Sequence, residues 1–144
     1  MKSAFRIWAS FVSLAIIVQV GLASYGAFNA VDKSDDKGTI GKSAVSDGFT
    51  VHAALGYIIL LAALILLVLA FLARRAGAGD RVKWSAGIFG LMVLQILLAA
   101  LGHATAWLGV LHGMNALAVA GVAGSLAGRE WAAHRAAAEP AVRV

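Results

Sequence analysis

From Ile58 to Leu72 the chain carries no polar side chain at all. A soluble helix built from such a stretch would show apolar surface on every side, which water does not tolerate. A bilayer accepts it, and roughly 20 apolar residues of helix are enough to cross one. Three further stretches have this character, so the predicted spans run from about Ile7 to Phe28, Phe49 to Ala73, Trp84 to Leu101 and Leu108 to Gly128. The runs are too long and too rich in Ala and Leu, without period-two alternation, to be the strands of an outer-membrane barrel. With 144 residues, the chain is expected to be a single all-α domain, an integral membrane four-helix up-down bundle. Residues 29–48 are its outer loop and residues 129–144 its cytoplasmic tail.

The first apolar run has a competing reading. Lys2 and Arg6 precede it, and Gly21-Leu22-Ala23 loosely resembles a signal-peptide cleavage site. The run extends past the usual apolar core of such signals, about 7–15 residues, so it is taken as a membrane span.

A pI near 10 would suit a nucleic-acid binder. The basic residues, however, neither gather on one amphipathic element nor alternate with aromatics as that role requires. They sort by side instead. Lys2 and Arg6 precede the first span, Arg74, Arg75, Arg81 and Lys83 lie between the second and third, and Arg129, Arg135 and Arg143 follow the fourth. The opposite side has Lys33, Lys37 and Lys42 against Asp32, Asp35, Asp36 and Asp47. Positive residues favour the cytoplasmic face, so both termini are expected in the cytoplasm and the chain in the plasma (inner) membrane. The tryptophans agree: Trp8, Trp84 and Trp131 flank inner ends, and Trp107 marks an outer turn, as an interfacial belt predicts. The outer loop, rich in Gly, Ser, Asp and Lys, reads as a solvated linker in preference to a lid. The alanine-rich end with Pro140 reads as a frayed helix passing into disorder.

No cysteine is present, which removes disulfides, thiolate metal sites, iron–sulfur clusters and cysteine nucleophiles together. Histidine is left as the natural metal ligand. His134 lies among charges beyond the fourth span and is read as solvated, whereas His52, His103 and His112 fall at outer helix ends. His52 and His112 enter their helices to similar depth at about 1.5 Å per residue. In an up-down bundle the second and fourth helices are diagonal, roughly 11–14 Å apart for neighbours spaced at 8–10 Å. Two imidazoles across such a gap can clamp an iron porphyrin, so His52 and His112 are the candidate metal ligands and one haem b per chain the candidate cofactor.

Gly56, one turn after His52, and Ala116, one turn after His112, offer close-packing space for that ring. His112 begins an i, i+4 row continuing through Ala116, Ala120, Gly124 and Gly128, which ordinary helix packing also explains. Interfacial hydrogen bonding is the alternative role for the histidines. A non-haem metal would require His103 as third ligand; otherwise His103 suits a propionate partner or proton donor, or a wet interfacial imidazole. Gln95 and Asn115 are polar residues within the bilayer that more often bond across helices than contact a cofactor.

The segments His52-Ala-Ala-Leu-Gly56-Tyr57, Gln95-Ile-Leu-Leu-Ala-Ala-Leu-Gly102 and His112-Gly-Met-Asn-Ala116 resemble one four-helix half of the heme A synthase family, and more broadly small bis-histidine b-type cytochromes. The resemblance covers roughly residues 49–125. It implies haem held between the second and fourth helices near the outer face by the residues matching His52 and His112. Ala53 stands where that family commonly has arginine, and residues 29–48 contain neither its outer-loop glutamate nor the cysteine pair of some members. Haem binding is therefore better supported than synthase activity.

Two filled axial positions favour electron transfer over oxygen activation. The expected function is a bis-histidine cytochrome serving electron transfer or acting as an accessory or sensor subunit, not a catalyst. A membrane quinol or a redox protein would be its partner, nucleic acid would not, and a homodimer or larger membrane complex is compatible. The alternatives are a non-redox structural membrane protein and a compact haem-modifying enzyme.

Overall fold

The computed structural model describes residues 2–35, 38–73, 79–102 and 104–138. His103, Asp36, Lys37, Arg74, Arg75, Pro140 and Arg143 lie outside the described residues. Four helices make up the bundle: α1 (Lys2–Asp32), α2 (Lys42–Ala73), α3 (Gly79–Leu101) and α4 (Ala106–Ala138). Each is long and apolar enough to cross a membrane. Among the described residues, α1 packs on α2 and α4, and α3 packs on the same two, which leaves α2 and α4 on one diagonal. Partners along each seam run in opposite directions, as Gly26 with Gly48, Gln19 with His52 and Trp8 with Ala62 show for α1 and α2. The topology is the expected up-down bundle.

Apolar residues point both ways. Phe5, Val12, Ile59, Leu66, Ile88 and Val119 are fully buried, while Ile17, Phe28, Leu61, Leu72 and Leu117 face outward and exposed. Alanines at positions 9, 62, 63, 70 and 123 fill the remaining interior, which lets the backbones approach as small residues do between membrane helices.

The helices are longer than the sequence suggests. The outer connection is limited to residues 33–41, whereas a loop over 29–48 is expected, because the polar residues of early α2 satisfy themselves within the helix. Ser46 Oγ donates to the Ser43 carbonyl at 3.0 Å and Thr50 Oγ1 to the Ser46 carbonyl at 2.7 Å. Asp47 accepts from Lys33 Nζ at 3.4 Å across the turn. In the turn itself the Thr39 amide donates to Asp35 Oδ1 at 2.6 Å, and Gly38 takes a φ of 76° that a side chain would resist. At the other end α4 continues to Ala138, since Ala132, Ala133 and Ala136 to Ala138 are strong helix formers even when exposed.

The outer ends of α1 and α2 meet backbone to backbone. A Cβ built on Gly48 would sit 2.6 Å from the Gly26 carbonyl oxygen, an atom that cannot swing aside. Gly48→Ala is therefore expected to lower stability by about 1–3 kcal/mol in a detergent thermal melt. Gly21→Ala, with open space at its Cβ, should be neutral or slightly stabilising.

The inner ends are held by charge and aromatic contacts. Arg81 Nε and Nη2 donate to the two carboxylate oxygens of Glu130, both at 2.7 Å, and its guanidinium lies 5.2 Å from the Phe5 ring centroid. Arg129 covers Trp84 at 4.3 Å and Arg6 covers Trp131 at 4.5 Å. Trp131 Nε1 also donates to Ser10 Oγ at 2.8 Å. Three of the basic residues that the sequence gathers on one side thus also fasten that end of the bundle.

Candidate functional site

Near the outer end, the two diagonal helices bring His52 and His112 together with ring centroids 6.3 Å apart and ring planes at 63°. Each imidazole is oriented by a glutamine on the preceding helix. His52 Nδ1 lies 3.1 Å from the Gln19 carbonyl oxygen, and His112 Nδ1 lies 3.0 Å from that of Gln95. A carbonyl only accepts, so both Nδ1 atoms carry the proton and both Nε2 atoms keep a lone pair. Each glutamine side chain closes the loop: Gln19 Nε2 donates to the His52 carbonyl at 2.7 Å, and Gln95 Nε2 to the His112 carbonyl at 3.0 Å. A backbone carbonyl on the remote ring nitrogen is the usual outer support of a metal-ligating histidine.

Both rings line a cavity of about 280 Å³ to which all four helices contribute. Its other walls are mainly apolar, including Ile16, Ile59, Met92, Ile96 and Val119. Gly56 and Ala116 line it as anticipated. The space at Gly56 has a particular user, however: a Cβ there would lie 3.1 Å from Gln19 Nε2, so the glycine admits the amide that holds His52. Beyond Ala116 the small-residue row drifts off the core, for Gly124 and Gly128 are exposed while Val119, Ala123 and Leu126 are buried. Phe49 sets its ring edgewise to His52 at 6.0 Å.

Gln95 and Asn115 do bond across helices, and they also touch the site. Asn115 Nδ2 donates to the Leu91 carbonyl at 2.9 Å and to Gln95 Oε1 at 2.6 Å. That contact fixes the Gln95 amide with its nitrogen toward His112, 3.1 Å from Nε2. Among the described residues there is no group of three or more His, Cys, Asp or Glu that could hold a metal ion. His134 lies apart, its ring against Trp131 at 5.9 Å.

Gln19 is a site residue that its own sequence context does not announce, since it is a single amide in an apolar run. The signal is a repeat visible only when α1 is laid on α3 and α2 on α4. Trp8, Gln19 and Gly26 recur at the same spacing as Trp84, Gln95 and Gly102. His52, Gly56, Ile59, Ala63 and Leu66 likewise match His112, Ala116, Val119, Ala123 and Leu126. The buried positions Val12 and Ile16 match Ile88 and Met92. The two hairpins are thus near-copies facing each other, and the paired histidines come from equivalent places.

Comparisons with family models, with curated proteins and with solved structures return no match.

Proposed function

We propose that this chain is a haem b-binding membrane protein in which His52 and His112 are the two axial ligands of one iron, acting in electron transfer or as an accessory or sensor subunit. The observation that carries the proposal is the pair of Nδ1-protonated imidazoles brought from two diagonal helices to 6.3 Å on an apolar cavity. A first-row metal holds an imidazole nitrogen at about 2.0–2.1 Å, and with the ring centroid about 1 Å behind, two opposed rings on one ion stand roughly 6 Å apart. The spacing, the tautomers and the apolar lining suit a porphyrin iron, and Gly56 and Ala116 keep the walls beside the histidines small.

When bound, the haem supplies a one-electron couple. The protein's part is to present two neutral imidazoles, to hold their orientation through the Gln19 and Gln95 carbonyls, and to keep water from the ring faces with Ile59, Met92 and Val119. The motifs around His52, Gln95 and His112 that resemble the heme A synthase family support the same role. Filled axial positions favour a cytochrome over a haem-modifying enzyme. The charge asymmetry supports an inner-membrane orientation with both termini cytoplasmic and the site toward the outer leaflet.

The purified full chain, expressed with haem supply, is expected to show a Soret band and the sharp visible bands of a six-coordinate low-spin haem. Absence of a Soret band would overturn the proposal in favour of a structural membrane protein. Mass spectrometry of the extracted porphyrin should return unmodified haem b; a modified ring formed under turnover would establish the enzyme instead.

A further inference from the structure

The two hairpins differ at several positions near the histidines, among them Phe49 against Gly109 and Tyr57 against Leu117, and one difference decides the hydrogen bonds. Three residues after His112 stands Asn115, whereas three residues after His52 stands Leu55. The consequences differ on the two sides. Asn115 donates to Gln95 Oε1, which turns the amide nitrogen toward His112, where it reaches both the backbone carbonyl and Nε2. Gln95 therefore donates a hydrogen bond to the nitrogen that would ligate iron. On the other side Gln19 Oε1 is buried with no hydrogen-bond partner among the described residues, and Gln19 Nε2 reaches the His52 carbonyl. No hydrogen bond among the described residues reaches His52 Nε2.

We propose that the bis-histidine site is built asymmetrically, with His52 the permanent axial ligand and His112 the exchangeable one, and that the position His112 vacates binds a small uncharged diatomic gas. This rests on the haem reading above and extends it toward sensing. When His112 releases the metal, the Gln95 amide that donates to its Nε2 would draw the ring toward α3 and satisfy its lone pair there. At His52 release would leave an imidazole acceptor facing an apolar cavity without a donor, which is unfavourable. The exchange breaks one bond from nitrogen to iron and forms one from the gas, with no oxidation or reduction. The walls near His112, Ile96, Ala99, Ala116 and Val119, carry no charge, and a cavity this small and apolar selects a neutral diatomic over an anion.

Carbon monoxide is the probe. The full chain loaded with haem and reduced is expected to bind it with a shift of the Soret band. Gln95→Leu, which removes the competing donor, should weaken carbon monoxide binding roughly 2- to 10-fold. Asn115→Leu, which copies Leu55 and leaves the Gln95 amide unanchored, should act in the same direction and guards against a Gln95 variant that fails to fold. Before haem is added, the ¹⁵N resonance of His112 Nε2 should move on Gln95→Leu. A six-coordinate low-spin wild type that ignores carbon monoxide overturns the exchange and leaves the haem reading intact. Unchanged binding in both variants, or an unmoved His112 resonance, overturns the role of Gln95. A wild type without a Soret band overturns both proposals.

Discussion

His52→Ala is expected to abolish the six-coordinate spectrum and to lower haem affinity by on the order of 100-fold or more, since even loss of an outer-shell partner costs a metal site 10–100-fold. His112→Ala should behave differently, retaining haem with a five-coordinate spectrum. The contrast follows from the two environments, for His52 Nε2 meets no donor among the described residues while His112 Nε2 already meets the Gln95 amide. Absorption and magnetic circular dichroism spectra of the purified variants, with haem quantified against protein, check both outcomes. Retention of a low-spin six-coordinate signal in both variants would show that the axial pair lies elsewhere.

The largest expected effect on stability lies at the opposite end of the bundle. The Arg81 and Glu130 side chains are only 16% and 11% exposed and share two hydrogen bonds. Glu130→Ala leaves the guanidinium without its counter-ion beside Phe5, and about 3–5 kcal/mol of destabilisation is expected. Replacing both together, as Arg81→Met with Glu130→Leu, should restore stability to within about 1 kcal/mol, because the desolvation cost of both charges disappears with their attraction. Calorimetry or thermal melts of the three proteins in one detergent measure this. If the double variant is as unstable as Glu130→Ala, the pair contributes more than its charges account for. Haem binding should survive in all three, because the pair joins the inner ends of α3 and α4 and the histidines lie near the outer ends.

Some of this was legible before any coordinates. The uninterrupted apolar run in α2 marks a helix long and apolar enough to cross a membrane, and three further runs give the four helices seen. Short connections make neighbours antiparallel, which puts α2 and α4 on a diagonal and His52 opposite His112 at similar depth. Helix ends were less legible, because polar residues such as Ser46 and Thr50 look like loop until their hydroxyls are seen bonded to their own helix. The tail reads as a fraying helix because charge and alanine signal exposure, while α4 runs on to Ala138 because alanine is the strongest helix former. Gln19 was hidden because one amide in an apolar run has no periodicity to mark it. Its function depends on the Gly56 backbone that admits it, a contact made far along the chain.

The sequence by itself determined the number of helices, that each is apolar enough to cross a membrane, and which two histidines can share a depth. These follow from hydropathy, chain length and a fixed rise per residue, all of which are local. Only the tertiary structure decided which nitrogen of each imidazole carries the proton, that Asn115 turns Gln95 toward His112, and that Gln19 Oε1 has no hydrogen-bond partner among the described residues. Those facts are hydrogen bonds between helices. They depend on rotation of each helix about its own axis to within one side chain, and no pattern along a single helix encodes that rotation.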